Sequence, residues 1–310
     1  MSAREDSGRV PAGGASVGRA TASISIAQTA PIRIHHLTEV LCADDPALRR
    51  SLPGAAERAL RLCGGRTADA AAIDAALSTD PALATPLIGI AGSGLFAARA
   101  PIATVSAAVM HLGLEATRDA LLLIVTNGIA ASVAGFEAHA EILRRRALAA
   151  AIAGRLIAKT LRVESGHDFL VGLLHDLGEL VLLQRAVEEG ILTPGVLDDP
   201  NDGPIILQSI ETDHAHVGAA ICRAWGLPPA VAEAAEFHHD RRAGRRGRLP
   251  SQLAAATDVI ALHVTGASGS ETARQPIFSE VGLTPAHAAA VIAEVEATLP
   301  LLAAVATTRA

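Results

Sequence analysis

Apolar residues recur at helical spacing along most of the chain. Between Pro53 and Cys63, Ala55, Ala59, Leu60 and Leu62 mark a helix, with Pro53 suited to its first turn and Gly64-Gly65 to its stop. A second helix is predicted over about 68–77. Asp80-Pro81 announces a third, because an Asp side chain caps free amides and Pro fills the first helical position without losing a bond. That helix carries Leu83, Leu87, Ile88 and Ile90. The same reading predicts helices at about 105–112, 115–132, 137–161, 167–188, 214–225, 229–239 and 252–264, joined by short connectors marked by Gly or Pro. Thr284-Pro285 repeats the cap-and-proline signal and opens an Ala-rich helix to about Leu299, followed by an apolar tail over 301–306. Residues 1–30, dominated by Gly, Ser, Ala and Thr, read as a flexible leader. No stretch alternates apolar and polar positions long enough to demand a sheet.

Composition sharpens this into an all-α expectation. Half of the 310 residues are apolar, but only 2% are aromatic, with five Phe and one Trp. A sheet-rich core would draw more on aromatic and β-branched residues. The 26 basic residues are outnumbered by 32 acidic ones for a net charge of −6, and Lys159 is the sole lysine, so coating of nucleic acid is disfavoured. Cys42, Cys63 and Cys222 form no CxxC pair and read as small apolar core residues in a reducing compartment. The N-terminus lacks the apolar block of a secretory signal. The most apolar stretch, Ala120 to Phe136, falls short of the roughly 20 residues that span a bilayer. The expected setting is therefore the cytoplasm, away from membranes.

Histidine placement carries the chemical information. His175-Asp176 is a polar pair inside Leu173-Leu174-His175-Asp176-Leu177-Gly178. A buried Asp must meet a cation, a set of donors or a metal, because an unpaired buried charge is costly. In the plainer alternative, Asp176 caps or bonds a neighbouring helix with His175 as its partner. His238-His239 form a second doublet, His214 and His216 lie between the two, and Asp258 follows within an apolar helix. Imidazole with carboxylate suits Mn, Fe, Zn or Mg, although the spacing alone is no ligand signature. Arg241, Arg242, Arg245, Arg246 and Arg248 form a basic loop after the second doublet. It reads as a solvated connector or as a docking site for an acidic partner or a phosphate-bearing ligand.

His175-Asp176, His214, His238-His239 and Asp258, in that order, resemble the HD superfamily of metal-dependent phosphohydrolases. The surroundings resemble more narrowly its HDOD branch, the HD-related output domain of bacterial signalling proteins. The narrower likeness rests on Asp80-Pro81-Ala82-Leu83, Ala91-Gly92-Ser93 (Gly92 where the family usually has Asn) and His111-Leu112-Gly113. It continues in Gly172 to Gly178, in Glu211, His214 and Val217-Gly218-Ala219, and in Trp225-Gly226-Leu227-Pro228 with His238-His239. Together these patches span roughly residues 50–265.

The resemblance implies a two-lobed helical fold: an N-terminal lobe over 31–136, an HD-like lobe over 137–265 and a C-terminal extension over 266–310. It implies His175, Asp176, His214, His238, His239 and Asp258 as the ligand set if a divalent metal (Mn, Fe, Zn or Mg) is retained. A catalytic relative would place a further His about 28 residues before the HD pair, where this chain has Arg146. A guanidinium has no lone pair to donate and repels a dication. The Lys common after the HD turn is replaced by Glu179, and there is no Gly-Tyr-Pro patch of the cyclic-di-GMP phosphodiesterases. Arg146 then reads as an anion hook or as the buried partner of Asp176. The implied function is a non-catalytic signalling or scaffold module that binds a protein partner and needs no cofactor. The alternatives are a metal-dependent phosphohydrolase of nucleotides or cyclic dinucleotides with a reduced ligand set, and a nucleotide sensor without turnover.

Overall fold

Helices account for nearly all regular structure in the computed structural model, which describes residues 26–65, 69–93, 101–240, 248–266 and 272–306, with no strand among them. The N-terminal elements are α1 (Ile26–Ala43), α2 (Asp45–Arg50), α3 (Gly54–Cys63), α4 (Ala70–Leu77), α5 (Pro81–Gly92) and α6 (Val105–Ala131). The central elements are α7 (Glu137–Leu161), α8 (Asp168–Leu174), α9 (Leu177–Glu188), α10 (Asp202–Ala224), α11 (Pro229–Phe237) and α12 (Arg248–Val264). Two further helices, α13 (Pro276–Val281) and α14 (Pro285–Ala306), complete the set.

The caps form as local chemistry requires. Asp80 Oδ1 accepts from the Ala82 amide at 3.1 Å, and Thr284 Oγ1 accepts from the His287 amide at 3.2 Å. The two helices expected over 105–112 and 115–132 are the two arms of α6, which bends at Gly113, where φ is 74°. The predicted ends of α7, residues 137 and 161, are those observed.

Four expectations are corrected. Helix α1 begins at Ile26, inside the stretch read as leader. It buries Ala30, Ile34, Leu37 and Leu41 at helical spacing, a stripe masked in sequence by the internal Pro31 and by polar neighbours. Helix α10 begins at Asp202, well before His214, and packs on α1, α9 and α11. The helix predicted over 167–188 is interrupted at His175-Asp176, so the doublet sits at the junction of α8 and α9. Of the cysteines, only Cys222 is a core residue, Cys63 being half-buried and Cys42 exposed.

Close backbone approach positions that junction. A Cβ on Gly172 would fall 2.0 Å from the Ala150 carbonyl oxygen of α7, and one on Gly178 would fall 1.9 Å from the His214 carbonyl oxygen of α10. Only glycine lets α8 and α9 sit this near their neighbours. Helix α7 packs against α6, α8, α12 and α14, and one apolar cluster runs from α1 to α14. Helix α14, not the Ala120–Phe136 stretch, is the one described helix long and apolar enough to cross a membrane, over Pro285–Ala304. It lays Ala288, Val291, Ile292, Val295 and Leu299 into the core.

Candidate functional site

Helices α7, α8, α9, α10, α11 and α12 each bring a side chain to the α8–α9 junction. Asp176 is central. Its Oδ2 lies 3.2 Å from His175 Nε2, and its Oδ1 lies 3.4 Å from His214 Nε2 and 3.2 Å from His238 Nε2. His239 Nε2 is 3.2 Å from His214 Nε2, and Asp258 Oδ1 is 3.9 Å from His175 Nε2. All six residues singled out in the sequence therefore converge. Arg241, Arg242, Arg245, Arg246 and the Arg248 side chain lie outside the described residues.

The three buried imidazoles share one device. His175, His214 and His238 each donate from Nδ1 to the carbonyl three residues earlier, that of Gly172, Glu211 and Ala235, at 2.7, 2.7 and 2.9 Å. The ring orientation is thereby fixed and each Nε2 is aimed at Asp176, the arrangement that metal-binding histidines use. The Nε2 atoms of His214 and His238 stand 3.2 Å apart. Two neutral Nε2 lone pairs facing each other and a carboxylate repel, so a proton or a metal ion must lie among them. Nitrogens about 2.0–2.1 Å from a tetrahedral zinc stand about 3.3–3.4 Å from each other, close to these separations. The His214, His238, His239 and Asp176 Oδ1 half of the site thus fits one divalent ion.

The other half does not. His175, Asp176 and Asp258 could group around an ion, but Arg146 of α7 reaches into the same space. Its guanidinium lies 3.7 Å from Asp176 Oδ2, 3.6 Å from Asp258 Oδ1 and 3.8 Å from Glu179 Oε2. These are ion pairs longer than hydrogen bonds. Arg146 Nε, Asp258 Oδ1 and Glu179 Oε2 are buried with no hydrogen-bond partner. The salt bridge expected between Arg146 and Asp176 is present, but it is shared among three carboxylates.

The imidazoles and Asp176 shift one another's titration. Burial pushes the His175 imidazole down, but Asp176 and, after it, Asp258 outweigh burial and hold the pKa up at about 10. His214 is likewise penalised by burial, yet the bond to Asp176 holds it at about 9. Asp176, which burial alone would raise, is held well below the usual carboxylate range by His175, His214 and His238. His239 is pushed down to about 4 by burial and by its neighbours His238 and His214.

Sequence reasoning did not foresee the role of Glu179, which faces Arg146 and, at 3.9 Å, His139. Glu211 entered the sequence reading only as part of a family-like run, and its contact with the histidines, with Oε1 3.4 Å from His239 Nε2, was not foreseen. A signal was present: His139 and Arg146 are two turns apart on α7, and Glu179 follows Asp176 by three residues.

Comparisons agree with this architecture. The profile of the HDOD domain matches residues 50–241. An HDOD domain protein of unknown function from Geobacter sulfurreducens superposes with a TM-score of 0.58, at 21% identity, over 82% of this chain and 91% of its own. A presumed phosphohydrolase from Shewanella amazonensis gives 0.61 at 18% identity, over 86% and 98%. An uncharacterized protein of Treponema pallidum is 28% identical over 172 residues, and the match covers 54% of this chain and 33% of that protein. The chain thus spans about a third of the length of that relative. With the profile matched over most of the chain and the same helical architecture in its structural neighbours, the protein belongs to the HDOD domain family.

Proposed function

We propose that this chain is a non-hydrolytic HDOD module that acts in signalling by binding a protein partner. The observation that carries the reading is Arg146, whose guanidinium lies between Asp176, Glu179 and Asp258. A fixed positive charge there neutralises the carboxylates and repels a dication, so the paired ions that stabilise both oxygens of a phosphoryl displacement have no place. A structural neighbour from Marinobacter aquaeolei, with a TM-score of 0.57 at 20% identity, is named as a presumed signal transduction protein, which supports the regulatory setting.

The imidazole half favours a second reading, in which the module holds one ion on His214, His238, His239 and Asp176. Three imidazoles and one carboxylate suit Zn, Fe or Mn better than Mg. An ion bound there would supply a Lewis acid able to polarise a phosphate or carboxylate oxygen. The chain's own residues would orient it through the backbone bonds at Nδ1 and leave His239, the most exposed of the four, beside the solvent.

Elemental mass spectrometry on untagged protein purified without chelator, with a phosphodiester turnover assay on bis(p-nitrophenyl) phosphate in added Mn, Fe or Zn, tests the proposal. No more than one ion per chain and no turnover are expected, and Arg146→His should increase the metal content. Turnover by the wild type that Asp176→Ala abolishes would overturn it and establish a phosphohydrolase.

A further inference from the structure

At the opposite end of α8 and α11 from the histidines, a cleft of about 730 Å³ opens between α2–α3 and the α10–α11 turn. Trp225 braces it. The indole, only 8% exposed, donates from Nε1 to the Leu48 carbonyl at 3.2 Å and lies 3.3 Å from Ser51 Oγ, so the two segments are tied while the space beside them stays open. The volume lies in the range of small-molecule sites and exceeds what a lone inorganic ion would fill.

The lining has two characters. Among the described residues, the guanidiniums of Arg49, Arg61 and Arg118 line it with Glu57 as the one carboxylate, and Glu57 pairs with Arg61 at the rim. Leu52, Leu60, Leu227, Pro228 and Pro229 supply an apolar wall. Arg118 is held rigidly: its Nη2 donates to Asp119 Oδ1 at 2.8 Å and to the Gly166 carbonyl at 2.5 Å, and its Nη1 donates to His167 Nδ1 at 3.2 Å. Asp119 is shared with Arg155, at 2.8 Å, so it does not neutralise Arg118 alone. Because His167 accepts at Nδ1, its ring N–H is on Nε2, and this residue also lines the cleft. A preorganised guanidinium, an imidazole donor and two more exposed arginines opposite an apolar wall suit an amphipathic anion.

We infer that this cleft is a binding site for an organic phosphate of nucleotide size, with its phosphates toward Arg118, His167, Arg61 and Arg49 and its ring against the Leu and Pro wall. The site is distinct from the histidine cluster. His167 precedes His175 by eight residues, about 12 Å of helix. Trp225 follows His214 by three turns, and Pro228 opens the helix that His238 and His239 close.

Titration calorimetry with ATP, GTP, inorganic tripolyphosphate and adenosine tests this. Binding of ATP or GTP is expected, weaker for tripolyphosphate and weakest for adenosine. The double variant Arg49→Ser/Arg61→Ser, altered only at exposed side chains, should bind about tenfold or more weakly, as loss of charge-assisted bonds to phosphate requires. His214→Gln should bind as the wild type does. Cys63 lines the cleft whereas Cys42 does not, so bound ATP should slow maleimide labelling of Cys63 alone, read by peptide mass. No heat from any of the three phosphates at millimolar concentration would overturn the inference. Binding that survives the double variant but is lost in His214→Gln would also overturn it, by placing the ligand at the histidines.

Discussion

Arg146 ties three carboxylates of the site together through one side chain. With its head between Asp176, Glu179 and Asp258, it is a counter-charge common to all three carboxylates, beside the imidazoles that face Asp176. Arg146→Ala leaves them without it and should destabilise the fold by about 3–5 kcal/mol, the usual consequence of breaking a buried pair. Arg146→Lys should lose less. Urea unfolding measures both, and an unchanged midpoint in Arg146→Ala would refute the ion-pair role. The imidazoles add a pH dependence. His175 and His214, raised to about 10 and about 9 in the folded chain, bind protons more tightly than when unfolded. Their contribution is complete below the unfolded value of about 6.5 and is lost as pH rises through the folded values. The melting temperature of chelator-treated protein should therefore fall between about pH 6.5 and 10. His214→Gln should flatten that fall, and a slope equal to the wild type's would contradict the assignment. The identity of these residues was legible in the sequence. Their division into an imidazole half and an arginine-filled half was not, because which oxygen of Asp176 faces which neighbour is set by side-chain packing.

At the scale of elements, the α8–α9 break places the HD doublet. A continuous helix would point His175 and Asp176 about 100° apart. At the break Asp176 has φ −101° and ψ 11°, and both side chains serve one centre. The break is held by tight packing at Gly178, so Gly178→Ala should cost about 1–3 kcal/mol or more through overpacking and should disturb the histidine cluster. Gly128 in α6 provides the control. It is exposed in the last turn of the helix with nothing within 4 Å of a new Cβ, so Gly128→Ala should stabilise by up to about 0.5 kcal/mol. Thermal unfolding of the two variants should move in opposite directions, and equal shifts would refute the packing account. Local signals revealed both ends of α7 and the bend at Gly113, since caps, glycines and apolar period act within a few residues. They did not reveal the α8–α9 break, because the apolar run continues through it and only the contacts with α7 and α10 show why the helix parts.

Over the whole molecule, the first and last described helices are fastened to the central ones. Helix α1 packs on α10, with His35 Nδ1 3.1 Å from Asp213 Oδ2, and α14 packs on α5 and α7. Deleting residues 285–310 would uncover the surface that Ala288, Val291, Ile292, Val295 and Leu299 now fill. At about 1.5–3 kcal/mol per large aliphatic side chain, the loss should reach several kcal/mol and lower the urea midpoint markedly. A truncated chain as stable as the full one would show that α14 is an appendage.

By itself the sequence determined that the protein is helical, where most helices start and stop, and which residues carry ligand-type chemistry. These properties arise from hydrogen bonds, caps and apolar period within a turn or two of each residue. Only the tertiary structure decided that α1 belongs to the ordered fold, that Glu179 shares Arg146, and that three arginines meet an apolar wall beneath Trp225. Each of these depends on contacts between segments far apart in the chain, fixed by close packing that no local pattern encodes.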